Sequence, residues 1–269
     1  MSPDAAEPQG PVTPLGPVTP PGPVTPQGPV TTQGPVTLHV WRVPARRAVT
    51  AFWRVARDRS RLRRTPGVRF AKILGTSPDR SFGPARADLT RWAAVITWDN
   101  PDSAAAFEDS PVGRAWATLA ERRCRIDLRP LAARGSWAGR QPFGPMTLAG
   151  PRSGGNGPVL ALTRARLRPS RAVTFWRAVP PPATAARTAP GLLAAFGIGE
   201  APIGWQGTIT VWRDASDLVE FAYRHRLHTE AIDRTAREGW YAEELFARFA
   251  VRAVVGDRGV MGWMDEAAE

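Results

Sequence analysis

The sequence predicts an α+β fold in which two ferredoxin-like βαββαβ repeats form one α+β barrel of the dimeric type within a single chain. Two observations predict it. Each half alternates strand and helix periodicity in the order strand, helix, strand, strand, helix, strand. Three segments of the first half also recur, in the same order, in the second half. The matched pairs are AVTAFWRV (48–55) with AVTFWRAV (172–179), TPGVRFAKILGT (65–76) with APGLLAAFGIGE (189–200), and WAAVITWDNPDSAAAF (92–107) with QGTITVWRDASDLVEF (206–221).

The first repeat begins where apolar residues start to alternate with other residues. Val36, Leu38 and Val40 alternate with Thr37, His39 and Trp41, which is the period of a strand. Four strands are predicted, near 36–43, 67–75, 91–98 and 125–134. Two helices are predicted, near 46–62 and 101–122, and the second carries the apolar stripe Phe107, Val112 and Trp116.

The second repeat follows the same plan. Its strands are predicted near 158–167, 191–199, 205–212 and 244–255. Its helices are predicted near 170–178 and 215–237. Asp214 or Ser216 is placed to cap the longer helix, and Gly239 is placed to end it.

Composition shifts divide the rest of the chain. Residues 1–35 contain a six-residue repeat, GPVTPx, whose Pro and Gly content predicts a disordered, extended leader. We expect the first repeat to span 36–135 and the second 158–256. The Gly- and Pro-rich segment 136–157 is interpreted as a linker, and 257–269 as a C-terminal tail.

Composition also excludes several classes of function. The formal charge is +12, but Lys72 is the only lysine and the arginines are scattered, so we expect no nucleic-acid partner. The single cysteine, Cys124, precludes an intramolecular disulfide and a cysteine-based zinc or iron–sulfur site, which favours a cytoplasmic protein. No apolar run reaches transmembrane length. Arginine-rich surface still allows loose attachment to a membrane.

Motifs of common enzyme classes are absent from the sequence. There is no P-loop and no G-x-S-x-G nucleophile elbow. The segment GIGEAPIG has glycines at the wrong spacing for a dinucleotide-binding loop and is interpreted as a turn between two strands.

The histidines carry the clearest functional signal. Two of the three, His225 and His228, lie three residues apart on the apolar stripe of the helix predicted at 215–237, and the matching helix of the first repeat has none. They are either buried and hydrogen-bonded core residues or ligands of a metal. Zinc generally needs a third protein ligand, and an iron site with two histidines needs an inward carboxylate. Haem needs one axial imidazole and an apolar cavity.

Several long motifs are similar to one known family. TLHVWRVP, RTPGVRFAKILGT, GIGEAPIGWQGTITVWR and FAYRHRLHTEAIDRTAREGWYAEELFARF resemble the spheroidene monooxygenase family of carotenoid-modifying enzymes, and the resemblance covers nearly all of 36–255. It implies a haem-containing monooxygenase that oxidises acyclic carotenoids, with O2 and an external electron donor, such as a ferredoxin-like protein, as co-substrates. It also implies the barrel fold of antibiotic-biosynthesis monooxygenases.

The resemblance also implies roles for individual residues. His228 is expected to be the axial ligand of the iron, with His225 as the alternative, and Arg234, Arg237 and Trp240 are expected to contact the haem. His225 and Tyr223 are the candidate catalytic residues.

The sequence is also compatible with two other functions. One is a cofactor-free monooxygenase of the same fold that acts on an aromatic substrate. The other is a non-catalytic protein that binds a pigment or another apolar ligand.

Overall fold

Burial on both faces of a strand shows that the chain packs against each side of it. In the first strand the odd- and even-numbered residues face opposite sides, and both sides are buried. The structure, a computed structural model, describes residues 34–77, 87–144, 157–171, 189–200, 205–224 and 240–263. All of them belong to one unit, Gln33–Glu269.

The described residues form eight strands and four α-helices. The strands of the first half are β1 (Val36–Arg42), β2 (Val68–Ser77), β3 (Asp88–Trp98) and β4 (Arg122–Gly135). Those of the second half are β5 (Val159–Leu167), β6 (Leu192–Gly199), β7 (Trp205–Trp212) and β8 (Tyr241–Gly256). The helices are α1 (Ala48–Arg63), α2 (Pro101–Ala105), α3 (Pro111–Leu119) and α4 (Ala215–Arg224).

The strands close into a single antiparallel barrel in the order β1-β3-β2-β6-β7-β5-β8-β4. Each half therefore contributes a four-stranded sheet with the strand order 4-1-3-2 of a ferredoxin-like repeat. The halves join along most of β4 and β8, and over a short contact in which Gly75 pairs with Gly199 and Ser77 with Gly197. The predicted fold class is confirmed.

The second helical segment of the first half differs from the prediction. One helix was expected over 101–122, but the chain forms α2, a short 3-10 helix (Ala106–Asp109) and α3. Ser110 adopts an extended conformation before Pro111, since proline disfavours the helical region for the residue that precedes it. The Ser110 hydroxyl then accepts a hydrogen bond from the Gly113 N–H at 3.0 Å and caps α3.

The inward faces of both sheets pack into one apolar core inside the barrel. Large side chains from both halves meet there, among them Leu38, Phe70, Phe196 and Phe249. The 3-10 helix Arg258–Met261 closes the end of the barrel at which β4 begins, with Val260 and Met261 buried in the core. Within the described ranges, none of the helices has the length and apolar character that a bilayer crossing requires.

The segment that follows β4 also packs into this core. Trp137 and Phe143 are buried at 0% and 2% exposure, and the Phe143 ring makes an edge contact with Phe249. The start of the segment interpreted as a linker is therefore part of the folded barrel. Residues 145–156 lie outside the described residues, so their assignment to a linker remains a prediction.

The end of the barrel at which β4 and β6 terminate contains a buried group of charges. The Arg164 guanidinium, with its side chain 2% exposed, forms ion pairs with Glu200 at 3.1 Å and with Glu243. Lys72 Nζ lies 2.6 Å from Glu200 Oε2, and the Trp137 indole N–H donates to Glu200 Oε1 at 2.5 Å. Each carboxylate is therefore satisfied by cations and N–H donors, as buried charges require.

Glu243 is also bonded to the segment that follows β4. It accepts hydrogen bonds from the Gly139 N–H at 2.8 Å and the Ser136 hydroxyl at 3.0 Å. Burial by itself raises the pKa of Glu243, but these hydrogen bonds and the nearby Arg164 outweigh burial and lower the pKa to about 2.

We predict that Glu243 contributes stability above its unfolded pKa of 4.5 that is lost as the pH falls toward about 2. In that window the unfolded chain binds the proton and the folded chain does not. Glu243→Gln should lower the free energy of unfolding at pH 7 by about 1–3 kcal/mol, and the difference from wild type should shrink across the window. Urea denaturation as a function of pH measures both effects.

Glu244→Gln is the matched control, since it changes the adjacent residue on the opposite face of β8. It should alter stability at pH 7 by no more than about 0.5 kcal/mol. A Glu243→Gln variant as stable as wild type at pH 7 would contradict the role assigned to this carboxylate.

Candidate functional site

The predicted site residues fall on and after α4. Tyr223 lies in the last turn of α4, and its side chain is outside the described residues, as are His225, His228, Arg234 and Arg237. Trp240 is described: it is 2% exposed, and its carbonyl oxygen accepts a hydrogen bond from the Arg168 N–H at 2.8 Å.

The start of α4 is fixed by its cap. Asp214 Oδ1 accepts hydrogen bonds from the N–H groups of Ser216 and Asp217, at 2.7 and 2.9 Å, so Asp214 is the capping residue. Asp217 forms a two-point ion pair with Arg213 at 3.0 and 3.1 Å. Gly191 packs against Asp217 with a φ of 74°, and a Cβ at this position would overlap with the Asp217 carboxylate.

An aromatic pair holds α4 on the outer face of the second sheet. The Phe221 ring lies 5.2 Å from Trp212 at the end of β7, and Leu218 is buried in the same cluster. The first half contains the matching pair, because Trp98 ends β3 and lies 5.6 Å from Phe107. The two halves therefore attach the helix after their third strand in the same way.

Above the first sheet, large side chains fill the layer between sheet and helices. The Trp116 ring of α3 stacks on Trp41 at 4.8 Å and lies 6.4 Å from Trp92. His39 packs against Phe107 at 4.6 Å in the same layer. This layer is therefore an aromatic core in which the rings of both helices and strands contact one another.

The second sheet has smaller residues at several of the matching positions. Trp92 and Ala94 of β3 align with Gln206 and Thr208 of β7. In the sheet, Trp41 pairs with Trp92, whereas Ala165 pairs with Gln206. Ala165 therefore stands where the first half has Trp41. By the same register Thr163 takes the place of His39, and Gly197 that of Ile73.

Burial also differs between the two outer faces. Six outward residues of the first sheet are all buried, at 6% exposure or less: Thr37, His39, Trp41, Ala71, Ala94 and Ile96. Their six counterparts in the second sheet are only partly buried: Ala161, Thr163, Ala165, Ala195, Thr208 and Thr210. The pair Ile73 and Gly197 does not show this difference, since both residues are buried. We call the six partly buried residues the open face.

The open face consists of three alanines and three threonines. The hydroxyls of Thr163 and Thr208 lie 2.5 Å apart, and one donates to the other across β5 and β7. This hydrogen bond uses part of the polar capacity of the two threonines, and the alanines supply apolar surface for a ligand.

His39 is the one histidine within the described residues, and it does not suit a metal. Its Nε2 lies 3.1 Å from the Thr37 hydroxyl and its Nδ1 lies 3.5 Å from Glu108 Oε1, so both nitrogens face protein groups. Burial lowers the pKa of His39 below its ordinary value, although Glu108 opposes the shift. His39 is therefore a neutral residue of the first-half core.

Cys124 is likewise unsuited to bind iron. It faces the barrel core at 2% exposure, and burial raises the pKa of its thiol to about 11. A thiolate ligand is therefore disfavoured at neutral pH. No group of three or more potential metal ligands occurs among the residues that the structure describes.

Two features of the structure were not anticipated from the sequence, one at the end of the barrel and one on the second sheet. The charge cluster of Lys72, Arg164, Glu200 and Glu243 was not anticipated, although each lies at an inward position of an alternating strand or just after one. The open face was also missed, although the aligned repeats already show Gln206 in place of Trp92.

The chain is similar to three proteins of one name. It is 34% identical to the spheroidene monooxygenase of Rhodobacter capsulatus over 192 residues, which cover 71% of this chain and 78% of the relative. The chain belongs to the spheroidene monooxygenase family. It is therefore an enzyme of the monooxygenase class. The family member from Rubrivivax gelatinosus is 35% identical over 71% of this chain and 72% of its own. The member from Cereibacter sphaeroides is 30% identical, and the match spans 58% of that protein. No protein-family model matches the chain.

Among solved structures, aldoxime dehydratase shares the fold. The TM-score is 0.57 at 12% sequence identity, over 87% of this chain and 88% of the other. A complex of an aldoxime dehydratase with butyraldoxime gives the same TM-score over 86% of that chain. At this identity the likeness concerns the fold alone.

We predict that Asp214→Ala lowers the free energy of unfolding by about 1 kcal/mol, because two N–H groups of α4 lose their acceptor. Asp109→Ala, at an exposed position of the first-half 3-10 helix, is the control and should change stability by less than about 0.5 kcal/mol. Urea denaturation of the two variants tests this, and equal stabilities would contradict the assigned cap.

Proposed function

We propose that this chain is a haem-dependent monooxygenase that oxidises a long apolar substrate, such as an acyclic carotenoid. The observation that carries the proposal is the difference between the two outer faces. The outer face of the first sheet is covered by stacked tryptophans. The outer face of the second sheet, against which α4 packs, is the open face. The names of the relatives, spheroidene monooxygenases, support the class of substrate.

His228 is the proposed axial ligand, with His225 as the alternative. His39 and Cys124 do not suit this role, for the reasons of burial and bonding given above. The two histidines follow α4 directly in the sequence, and α4 is anchored by Trp212 and Phe221 against the second sheet. Arg234 and Arg237 are proposed to pair with the haem propionates, and Trp240 to contribute to the wall.

When bound, haem iron supplies the activation of O2 that hydroxylation of an unactivated C–H bond requires. One oxygen atom enters the C–H bond and the other leaves as water, so an external electron donor, such as a ferredoxin-like protein, completes the reaction. The described residues have simpler tasks. Trp212, Leu218 and Phe221 exclude water and fix the helix, and the small residues of the open face leave space for the substrate. Tyr223 and His225 are the proposed residues for moving protons.

The absorption spectrum of the purified full chain tests the cofactor. We expect a Soret band that shifts when the reduced protein binds CO. His228→Ala should lose or displace this band, whereas His225→Ala should retain it. The reverse result would move the ligand to His225. Turnover without any Soret band would instead favour a cofactor-free monooxygenase, and tight binding without turnover a pigment-binding protein.

The open face is tested by filling it. Ala165→Trp places a tryptophan at the position that corresponds to Trp41 in the first half. We expect this variant to bind an apolar polyene about tenfold or more weakly than wild type, because the new side chain fills the proposed site. Ala165→Ser, with almost the same volume, should bind like wild type. Unchanged binding by Ala165→Trp, with the melting temperature preserved, would contradict the proposed position of the ligand.

A further inference from the structure

The outer surface of α1 carries a group of exposed apolar side chains. Val49, Phe52 and Trp53 are 70%, 52% and 68% exposed, and the Phe52 and Trp53 rings lie 6.0 Å apart. They lie in the first two turns, on the side of the helix opposite to the buried residues Ala51, Val55 and Leu62. We call Val49, Phe52 and Trp53 the α1 apolar patch.

This patch is unusual within the described part of the molecule. Only two other large apolar residues there are exposed to a similar degree, Leu89 on β3 and Val255 on β8, and each is single. A contiguous exposed group that contains Trp and Phe indicates a surface that meets a partner.

The polar surroundings of the patch are arginines. Every exposed charged residue of α1 is an arginine, and the helix's one acidic residue, Asp58, is 1% exposed and paired with Arg54 and Arg61. Exposed arginines also flank the helix on both sides, at Arg46 and Arg64. The chain as a whole carries a formal charge of +12. The partner that complements this surface is negatively charged.

We propose that α1 is a membrane-docking surface, with the apolar patch inserted at the headgroup boundary of an anionic phospholipid bilayer and the arginines on its phosphates. Trp and Phe prefer this boundary, and nearby arginines are attracted to anionic lipid. Three side chains are too few for the core of a stable protein interface. A symmetric contact between two copies would also bring arginine against arginine, which is repulsive.

This docking surface lies on the first-half helix, whereas the open face belongs to the second sheet. The inference therefore does not depend on the cofactor or the substrate of the proposed function. It would place an enzyme of the monooxygenase class at the surface where lipid-soluble molecules are found.

The test is cosedimentation of the full chain with vesicles. The probes are vesicles of phosphatidylcholine with phosphatidylglycerol, and vesicles of phosphatidylcholine alone. We expect wild type to bind the anionic vesicles more tightly, with affinity that falls as salt is raised. The triple variant Val49→Ser/Phe52→Ser/Trp53→Ser should bind anionic vesicles at least about tenfold more weakly than wild type. Arg57→Gln/Arg63→Gln/Arg64→Gln should lose the preference for anionic vesicles and most of the salt dependence.

Leu89→Ser/Val255→Ser is the matched control, because it removes exposed apolar residues from other elements, and it should bind like wild type. Circular dichroism and the melting temperature establish that each variant is folded. The proposal is overturned if wild type does not bind anionic vesicles, or if the control loses as much binding as the patch variant. It is also overturned if the patch variant changes the oligomeric state but not vesicle binding, since the patch would then be a protein contact.

Discussion

Closure of eight strands into one barrel is the constraint on which the rest of the structure depends. Every strand has an inward face, and closure brings all of these faces into a single core that must be filled. Apolar side chains from both halves fill it, and the group of Arg164, Glu200 and Glu243 completes one end. We therefore propose that a large ligand binds on the outer side of a sheet rather than inside the barrel.

The duplication supplies two such outer sides, and they have diverged. Both halves keep the aromatic pair that attaches the helix after the third strand, Trp98 with Phe107 and Trp212 with Phe221. The first half then closes its layer by stacking Trp116 on Trp41. The second half has Ala165 at the position of Trp41. This difference is the basis on which we propose the ligand site in the second half.

Sequence periodicity and the internal repeat were sufficient to predict the fold class, the order of the strands along the chain and their bounds to within three residues, because both are local signals. The break at Ser110–Pro111 was missed although the proline is a clear signal, because the apolar stripe was read as continuous through it. The charge cluster could not be predicted, since a charged residue on a strand gains its partners only when distant strands meet. Lys72 and Glu200 are 128 residues apart. The open face depends on the same kind of information, because the register between β5 and β7 decides which residue replaces Trp41.

We propose that the ligand lies on the outer face of the second sheet. Photoaffinity labelling with an acyclic polyene that carries a diazirine, followed by peptide mapping, locates the bound ligand. We expect covalent labels in β5, β7 and α4, on the side of Thr163 and Ala165. Labels concentrated instead in β1, β3 or α3, or on inward residues of the barrel, would contradict it.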